Sequence, residues 1–252
     1  MKTPVSDIRH IIQSPDLDED TRLFRYISLS RFVDFIETKQ TFLSRISDWP
    51  DTWEVPEAKL PVKTDAGTIE YSLFNIHETM YGQCWSLLEE SDAMWRIYSP
   101  QNEGVVIQTS VRKFKLFEGI KFAAFGPVIY YDELKAALDR AYKLRNYDIF
   151  TGAFLKRKAF EHEKEVRFVT MNDDHCLINK PRSGVSRFNI SVDPCEFIEG
   201  ITIDPRADRR HVIVLQRYCE RAGMSVKPLK SKLYGDPYRQ TNLVRQFIPV
   251  KQ

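Results

Sequence analysis

One short segment of the sequence carries the densest group of side chains that could do chemistry. Residues 158–168 read KAFEHEKEVRF, and a strand that begins near Glu163 would place Glu163, Glu165 and Arg167 on one face, because strand side chains alternate. Two carboxylates beside a guanidinium are costly to bury and easily solvated. The residues alone therefore leave two interpretations open, a catalytic pair of acids and an exposed, salt-bridged strand face.

Hydrophobic periodicity predicts the elements that position this segment. Short runs rich in β-branched and aromatic residues indicate strands, and apolar residues at i, i+3, i+4 and i+7 indicate helices. The strands are predicted at 23–27, 41–44, 83–86, 104–110, 127–131, 166–169, 188–192 and 198–203. The helices are predicted after the N-cap candidates Ser28 and Ser91, over 132–160 with a break at Gly152, and over 207–222.

The order of these elements favours one α+β domain. Strands and helices do not alternate regularly enough for a doubly wound parallel sheet, and no repeat or change in composition marks a linker. We expect a single domain over residues 1–252, with a core from about 22 to 233 and peripheral ends. A chain of this length can bury one large core.

Composition and charge narrow the class of protein. The net charge of +2 does not by itself indicate nucleic-acid binding, and the basic runs 113–115 and 156–158 are interpreted as solvated faces. The four cysteines are scattered without a C-x-x-C pair, which supports neither a zinc site nor a disulfide framework. The sequence shows neither a signal peptide nor a run of about 20 apolar residues. We therefore expect a cytoplasmic protein with no membrane partner.

Several motifs of cofactor and metal chemistry are absent. No G-x-G occurs, which excludes the Rossmann fingerprint and the kinase glycine loop. There is no H-E-x-x-H, and the five histidines have no metal-ligand spacing. A protein of this sequence that handles NAD would have to do so without the usual dinucleotide fold.

Seven short motifs lie in a distinctive order along the chain. They are FRYISL, DWPDxWE, CWS, MWxxY, VIYY, KxFxxExExR and IxxITIDP, and together they span about residues 22–233. This ordered set resembles a bacterial domain family catalogued only as a domain of unknown function, number 2971. That family in turn resembles the ADP-ribosyltransferase fold of the type with an arginine, a serine and a glutamate in its three motifs.

The resemblance implies a fold and a site. The fold would have two small, mostly antiparallel sheets that form a cleft for NAD and are flanked by helices. Arg25 matches the first motif, Ser86 the second, and Glu163 and Glu165 match the E-x-E of the third. NAD would then be a substrate, and no metal would be needed.

The resemblance also implies a role for each site residue. The nicotinamide–ribose bond breaks through an oxocarbenium-like transition state, which a carboxylate stabilises selectively. Glu165 is expected in that role, with Glu163 orienting the acceptor or assisting as base and Ser86 as the third catalytic residue. The planar donors of Arg25 suit a diphosphate or ribose. The other residues expected to contact NAD are Arg167 and the candidate stacking partners of nicotinamide, Tyr26, Trp85, Trp95 and Tyr98.

A loop with two tryptophans follows the second predicted strand. Residues 48–54 read DWPDTWE, and the proline keeps this stretch out of a helix. Trp49 and Trp53 could either fill the edge of the core or form a ligand wall. We expect the loop to border the cleft and to help select the acceptor.

Two other functions stay open at this point. A metal-dependent nuclease would use Asp132, Glu163 and Glu165 as ligands, although His162 stands where the D/E-x-K element of common nucleases needs an acid. A binding module could keep the fold without activity. The transferase alternative implies a protein or nucleic-acid acceptor. A bacterial toxin or antiphage effector of this kind would add an antitoxin or regulatory partner.

Overall fold

The computed structural model describes residues 10–56, 60–63, 67, 69–71, 78–144, 149–171 and 186–236. The strands in these ranges are β1 (His10–Gln13), β2 (Arg22–Ile27), β3 (Gln40–Arg45), β4 (Pro61–Lys63), β5 (Ile69–Tyr71), β6 (Met80–Ser86), β7 (Val105–Ser110), β8 (Phe122–Pro127), β9 (Ile129–Tyr131), β10 (Leu155–Arg157), β11 (Glu165–Met171), β12 (Arg187–Ser191), β13 (Gly200–Ile203) and β14 (Leu229–Lys230). The helices are α1 (Leu29–Thr38), α2 (Asp92–Tyr98), α3 (Leu134–Leu144), α4 (Pro194–Phe197) and α5 (Arg209–Arg221). Within the same ranges, no helix combines the length and apolar character that crossing a bilayer requires. The predicted α+β class is confirmed.

Ten of these strands form one sheet that consists of two halves. The first half runs β1-β8-β11-β6 and continues through β3 to β12, and the second runs β2-β7-β13-β14. Both halves are antiparallel except at the outer pairs β1–β8 and β13–β14. One paired position, Phe24 opposite Ser86, joins them. The two small, mostly antiparallel sheets expected from the sequence are therefore present as halves of one sheet.

The cleft between the halves opens where the sheet splits beside β6. Ser86 at the end of β6 pairs with β2, whereas Gly82 further back pairs with β3. The side chain of Gln83 spans the gap between these positions. Its amide nitrogen donates to Thr41 Oγ1 and to the Phe42 carbonyl, each at 2.9 Å. These bonds fix β3 at one wall of the split, with β2 at the other.

Helix α1 connects these two walls and forms where the sequence predicts it. The Ser28 hydroxyl caps the first turn by accepting a backbone N–H bond. Phe32, Phe35 and Ile36, on one stripe of the helix, are buried against the sheet. Lys39 takes a left-handed conformation (φ 53°) and ends the helix, so that β3 can begin at once.

Of the described residues in the stretch predicted as mostly helical from 132 to 160, those of α3 form an α-helix. Residues 155–157 form β10, which pairs in parallel with β9, and 3₁₀ turns lie on either side at 151–154 and 158–163. The physical reason is tertiary. Leu155 packs in an apolar cluster with α3, and Lys156 is drawn to two buried carboxylates, which overrides the local helical preference.

Candidate functional site

Three neighbouring strands bring the motif residues of the sequence together. Phe24 of β2 pairs with Ser86 of β6, and Ser86 pairs with Glu165 of β11. At the usual strand spacing, this places the backbones of Phe24 and Glu165 about 10 Å apart, with Arg25 next to Phe24. The structure therefore brings the backbones of the predicted arginine, serine and glutamates to the split in the sheet.

Glu165 lies at the centre of a buried ion network. Only 3% of its side chain is exposed, and both of its oxygens have cationic partners. Arg167 Nε donates to Oε1 at 2.8 Å, and Lys156 Nζ donates to Oε2 at 2.6 Å. The Glu165 backbone N–H also donates to the hydroxyl of Tyr130, at 2.8 Å. Two cations therefore hold the carboxylate, and Tyr130 holds the backbone that carries it.

Arg167 connects Glu165 to the tryptophan-containing loop. Its guanidinium is fully buried and pairs with Glu54 through Nη1 at 2.7 Å. Nη1 also donates to the Ala153 carbonyl at 2.6 Å, and the group lies 4.5 Å from the centre of the Trp49 ring. With Glu165, these partners give every nitrogen of the guanidinium an acceptor. The predicted contact of Arg167 with NAD would need exposure that this side chain does not have.

Lys156 bridges the two glutamates of the E-x-E motif. Its ammonium lies 2.5 Å from Glu163 Oε2 and 2.6 Å from Glu165 Oε2, and it faces the ring of Phe160 at 5.0 Å. The other oxygen of Glu163 accepts a bond from the Tyr98 hydroxyl at 3.1 Å. Glu163 is thus held by one cation and one hydroxyl, whereas Glu165 is held by two cations.

The network as a whole carries more acid than base. Three carboxylates (Glu54, Glu163 and Glu165) meet two cations (Lys156 and Arg167), so one negative charge is left over when all five groups are ionised. All five groups are buried, where charge interactions are stronger than in water. This excess would attract a positive charge that forms or binds beside it.

The structure corrects two expectations about this segment. β11 begins at Glu165, not near Glu163, because Lys164 adopts a left-handed conformation (φ 43°) that ends the preceding 3₁₀ turn. Glu163 reaches the same site from that turn. Every residue of β11 is buried, so the interpretation as an exposed, solvated strand face was wrong. The ion pairs with Lys156 and Arg167 explain how the acids can be buried.

Ser86 is a buried residue whose hydroxyl is fully used. Its Oγ donates to the Glu163 carbonyl at 2.6 Å and accepts from the Leu88 N–H at 3.0 Å. The Leu87 N–H donates to the carbonyl of Lys164 at 3.0 Å. These bonds tie the end of β6 to the turn before β11. Through them, Ser86 fixes the position of Glu163.

Arg25 lies in the split of the sheet with aromatic neighbours and no acid. It is half-buried, and its guanidinium lies 5.9 Å from the ring centres of both Phe42 and Trp85. Among the residues that the structure describes, no carboxylate pairs with it. Burial, together with the charge of Arg31, lowers the pKa of Arg25 to about 10, so it stays cationic at neutral pH. A guanidinium in this setting would suit an anionic ligand.

The four aromatic residues expected to stack on nicotinamide differ in accessibility. Trp95 is fully buried behind Tyr26, whose ring meets it edge-on at 5.0 Å, so stacking of Trp95 on a ligand would need exposure that it does not have. Tyr26 and Trp85 are also buried, and Trp85 packs against Phe114. Tyr98 is 40% exposed. It is the ring of the four that a ligand can reach most readily.

Two residues far apart in sequence, Ser91 and Arg206, fix the two ends of the helix that carries Tyr98. Ser91 caps α2 by accepting from the Met94 N–H, as the sequence predicts. Arg206 donates to the carbonyls of Trp95 and Ser99 at the other end of the helix, each at 2.9 Å. Buried Asp204 orients Arg206 at 2.8 Å. The IxxITIDP motif therefore contributes to the site by fixing the helix that carries Tyr98.

The loop at 48–54 borders the site, as expected. Glu54 enters the ion network, and Trp49 covers Arg167 while donating to Ser44 Oγ at 2.8 Å. Trp53 is half exposed and lies 5.9 Å from the guanidinium of Arg157, which pairs with Asp51. One tryptophan thus packs inside the site, and the other faces solvent at its edge.

The ligand set proposed for a nuclease is not assembled. Asp132 is an exposed acid that pairs with Lys158 at 3.0 Å, away from the buried pair Glu163 and Glu165. Between those two glutamates lies Lys156, a cation where the metal would have to be. In the described ranges, no three acid, histidine or cysteine side chains form a group that could hold a metal ion.

Sequence reasoning missed three residues of this site. Glu54 and Tyr130 fall inside the motifs DWPDxWE and VIYY, so the motif set contained them without giving them a role. Lys156 was interpreted as part of a solvated basic run. The signal that could have found it is the apolar sequence before it, Phe154-Leu155, which continues into a buried strand.

The network makes stability depend on pH through Glu165. Burial alone would raise the pKa of Glu165, but the charge and hydrogen bonds of Arg167 and the charge of Lys156 outweigh it and lower the pKa to about 2. A lowered carboxyl pKa stabilises the folded state above the unfolded value near 4.5, and this contribution is lost as the pH falls toward 2. We expect urea unfolding to show a free-energy gap between wild type and Glu165→Gln that narrows between pH 5 and 3. A gap that stays constant would contradict the assignment.

Two sequence comparisons bear on the resemblance. The model of a family described as "Protein of unknown function (DUF2971)" matches residues 94–168. This segment begins inside α2 and ends inside β11. It therefore includes Tyr98, Lys156, Glu163, Glu165 and Arg167. The resemblance to DUF2971 proteins is therefore confirmed over this segment. No curated protein matches the sequence.

The fold also has distant likenesses among solved structures. DarT of Thermus sp. 2.9 in complex with NAD+ is 11% identical, with a TM-score of 0.40 over 86% of this chain and 98% of that chain. The complex with ADP-ribosylated ssDNA is 12% identical, with a TM-score of 0.39 over 85% and 94%. The complex with carba-NAD+ is 12% identical, with a TM-score of 0.38 over 84% and 95%. Because these identities and TM-scores are low, a function for this chain has to be inferred from its own side chains.

Proposed function

We propose that this protein is an ADP-ribosyltransferase that uses NAD as substrate. The observation that carries the proposal is the division of charge around the split in the sheet. Arg25, without an acidic partner among the described residues, lies on one side, and the network with one excess negative charge lies on the other. NAD has the complementary arrangement, an anionic diphosphate and a cationic nicotinamide ring.

The arrangement suits cleavage of the nicotinamide–ribose bond. The bond between ribose C1′ and the ring nitrogen breaks, and its electron pair leaves with nicotinamide, which becomes neutral. Positive charge then develops on the ribose, and the excess negative charge of the network stabilises it. An acceptor nucleophile forms the new bond to C1′, and its proton passes to solvent water. Because nicotinamide leaves as a neutral molecule, the step needs no metal to stabilise the leaving group.

Burial supports Glu163 rather than Glu165 as the carboxylate that faces the ribose. The side chain of Glu163 is 11% exposed and that of Glu165 is 3% exposed. Both oxygens of Glu165 are bonded to cations, whereas one oxygen of Glu163 has only the hydroxyl of half-exposed Tyr98. This reverses the roles expected from the motif. Glu165 and Lys156 then act by positioning Glu163, and Ser86 holds its backbone.

The proposal extends to setting and acceptor. We place the protein in the cytoplasm, where NAD is available, as a single-domain toxin or antiphage effector. Its acceptor is a protein or a nucleic acid, and an antitoxin or other regulatory partner would limit its activity. The second candidate is a module of the same fold that binds NAD without cleaving it. The observation that favours it is the burial of Glu165, whose two oxygens are both bonded to cations.

Labelled NAD tests the proposal directly. The purified protein is incubated with NAD labelled in the adenylate and with whole-cell lysate, and labelled protein is then separated from labelled nucleic acid. We expect label in one macromolecular fraction, with EDTA present and absent. The parallel reaction with Glu163→Gln is the control. Binding of NAD without any label transferred would favour the binding module, and transfer that stops in EDTA would return metal chemistry to consideration.

Trp53 gives a separate prediction about the acceptor. Its ring is 49% exposed at the edge of the site and is not part of the ion network. We expect Trp53→Ala to reduce transfer to the acceptor about tenfold while nicotinamide release in the absence of acceptor changes less than twofold. An aromatic contact is worth about 0.5–1.5 kcal/mol beyond the area that it buries, which at its upper end is about tenfold in binding. Equal loss of both activities together with a lower melting temperature would show that Trp53 serves packing alone.

A further inference from the structure

Three arginines from three different elements surround one phenylalanine ring. Arg25 of β2, Arg31 of α1 and Arg187 of β12 lie 5.9, 5.2 and 4.7 Å from the centre of the Phe42 ring. Phe42 belongs to β3, the wall of the split opposite β2. The cluster thus begins at the cleft with Arg25 and extends outward over β3 toward exposed Arg31 and Arg187.

These three guanidinium groups lack the partners that other arginines of the fold have. In the described part of the chain, none of the three forms an ion pair, whereas Arg45, Arg167 and Arg206 each pair with a carboxylate. Three like charges around one ring repel each other. Cation–π contact with Phe42 offsets this only in part, since an exposed contact of this kind is worth about 0.5–1 kcal/mol.

An anion with several charges would resolve this repulsion. Phosphate groups suit arginine well, because the planar guanidinium donates two parallel hydrogen bonds to phosphate oxygens. The position of the cluster also fits, since its innermost member is the arginine at the cleft. A single carboxylate would neutralise one of the three charges, whereas two adjacent phosphates offer two charges and several acceptor oxygens.

We propose that Arg25, Arg31 and Arg187 form, around Phe42, one binding site for a diphosphate group. That this diphosphate belongs to NAD rests on the proposed function. Arg31 and Arg187 are then binding residues that the motif resemblance did not include. They hold the anionic middle of the dinucleotide, and the carboxylate network meets its cationic end.

Binding of ADP and adenosine to the full-length protein tests the site. ADP carries the diphosphate, and adenosine is its uncharged counterpart. We expect Arg31→Gln/Arg187→Gln to weaken ADP binding, measured by calorimetry in low salt, at least about tenfold for each arginine removed. Adenosine binding should stay within twofold. The matched control is Arg209→Gln/Arg221→Gln, which removes two exposed charges from α5.

Each outcome decides for or against the site. ADP binding that is weaker in Arg31→Gln/Arg187→Gln but not in the control variant supports the diphosphate site. Equal losses in both variants, unchanged ADP binding in the first, or no ADP binding by wild type would each overturn it. Nicotinamide release separates this proposal from the proposed function. If ADP binding needs Arg31 and Arg187 but wild type releases no nicotinamide, the site stands and the transferase fails. If Arg31→Gln/Arg187→Gln releases nicotinamide with an unchanged KM for NAD, the transferase activity stands and the diphosphate site fails.

Discussion

Glu163→Gln is expected to lower nicotinamide release by a factor of roughly 10²–10³, the scale for losing one electrostatic stabiliser of a transition state. The amide keeps the shape: its oxygen can accept from Lys156, and its N–H can donate to the hydroxyl of Tyr98. What is lost is the negative charge beside the developing oxocarbenium ion. NAD binding should change little, because that charge acts mainly in the transition state. The measurement is nicotinamide release, with NAD affinity and melting temperature recorded on the same preparation.

Glu165→Gln is the matched comparison for this prediction. It removes the same charge from the network, but it leaves Lys156 and Arg167 with fewer counter-charges in a fully buried setting. Glu163→Gln removes a counter-charge of Lys156 but none of fully buried Arg167. We therefore expect both variants to lose activity, and Glu165→Gln to melt lower than Glu163→Gln. Wild-type turnover by a well-folded Glu163→Gln protein would remove Glu163 from the mechanism and return the role to Glu165.

Lys156→Met is the second change with a large expected effect. It removes the ammonium that lies between Glu163 and Glu165 and leaves two buried carboxylates close together. Removing one partner of a buried ion pair typically costs about 3–5 kcal/mol of stability. With Lys156 gone, one of the groups that lower the pKa of Glu165 is lost while burial still raises it, so this pKa rises from about 2. We expect lower stability, lower nicotinamide release at neutral pH, and partial recovery of the remaining activity as the pH rises.

Lys156→Arg separates a positioning role from simple loss of charge. Arginine keeps the positive charge but is longer and planar, so it should restore most of the stability and less of the activity. Chemical unfolding and a pH–rate profile of both variants measure these effects. A Lys156→Met protein with wild-type turnover and an unchanged pH profile would show that Lys156 serves folding alone.

The local elements of the fold could be predicted because their signals are local. Ser28 and Ser91 cap helices where the sequence places them, and the apolar stripe of α1 faces the core. That Arg25, Ser86 and Glu165 belong to one site was implied by the family resemblance, and they lie on adjacent strands. The helical prediction for 132–160 failed at β10, because pairing with β9 and burial of Leu155 are contacts with distant residues.

The chemistry of the site could be predicted only in outline. The E-x-E motif pointed to the correct acids, but nothing local shows that Lys156 neutralises both of them or that Glu54 pairs with Arg167. Burial was missed for the same reason, since a strand of charged residues looks solvated until its partners are known. The single-domain boundary and the individual catalytic roles stay predictions.

The products formed from NAD test the central claim most directly. The purified full-length protein is incubated with NAD and EDTA, and the mixture is resolved by chromatography. The account predicts that nicotinamide appears in equal amount to the NAD consumed, with the ADP-ribose part free or attached to an acceptor, and that Glu163→Gln slows this at least about 100-fold. Unchanged NAD despite an added acceptor extract, or cleavage of the diphosphate to AMP and nicotinamide mononucleotide, would contradict it.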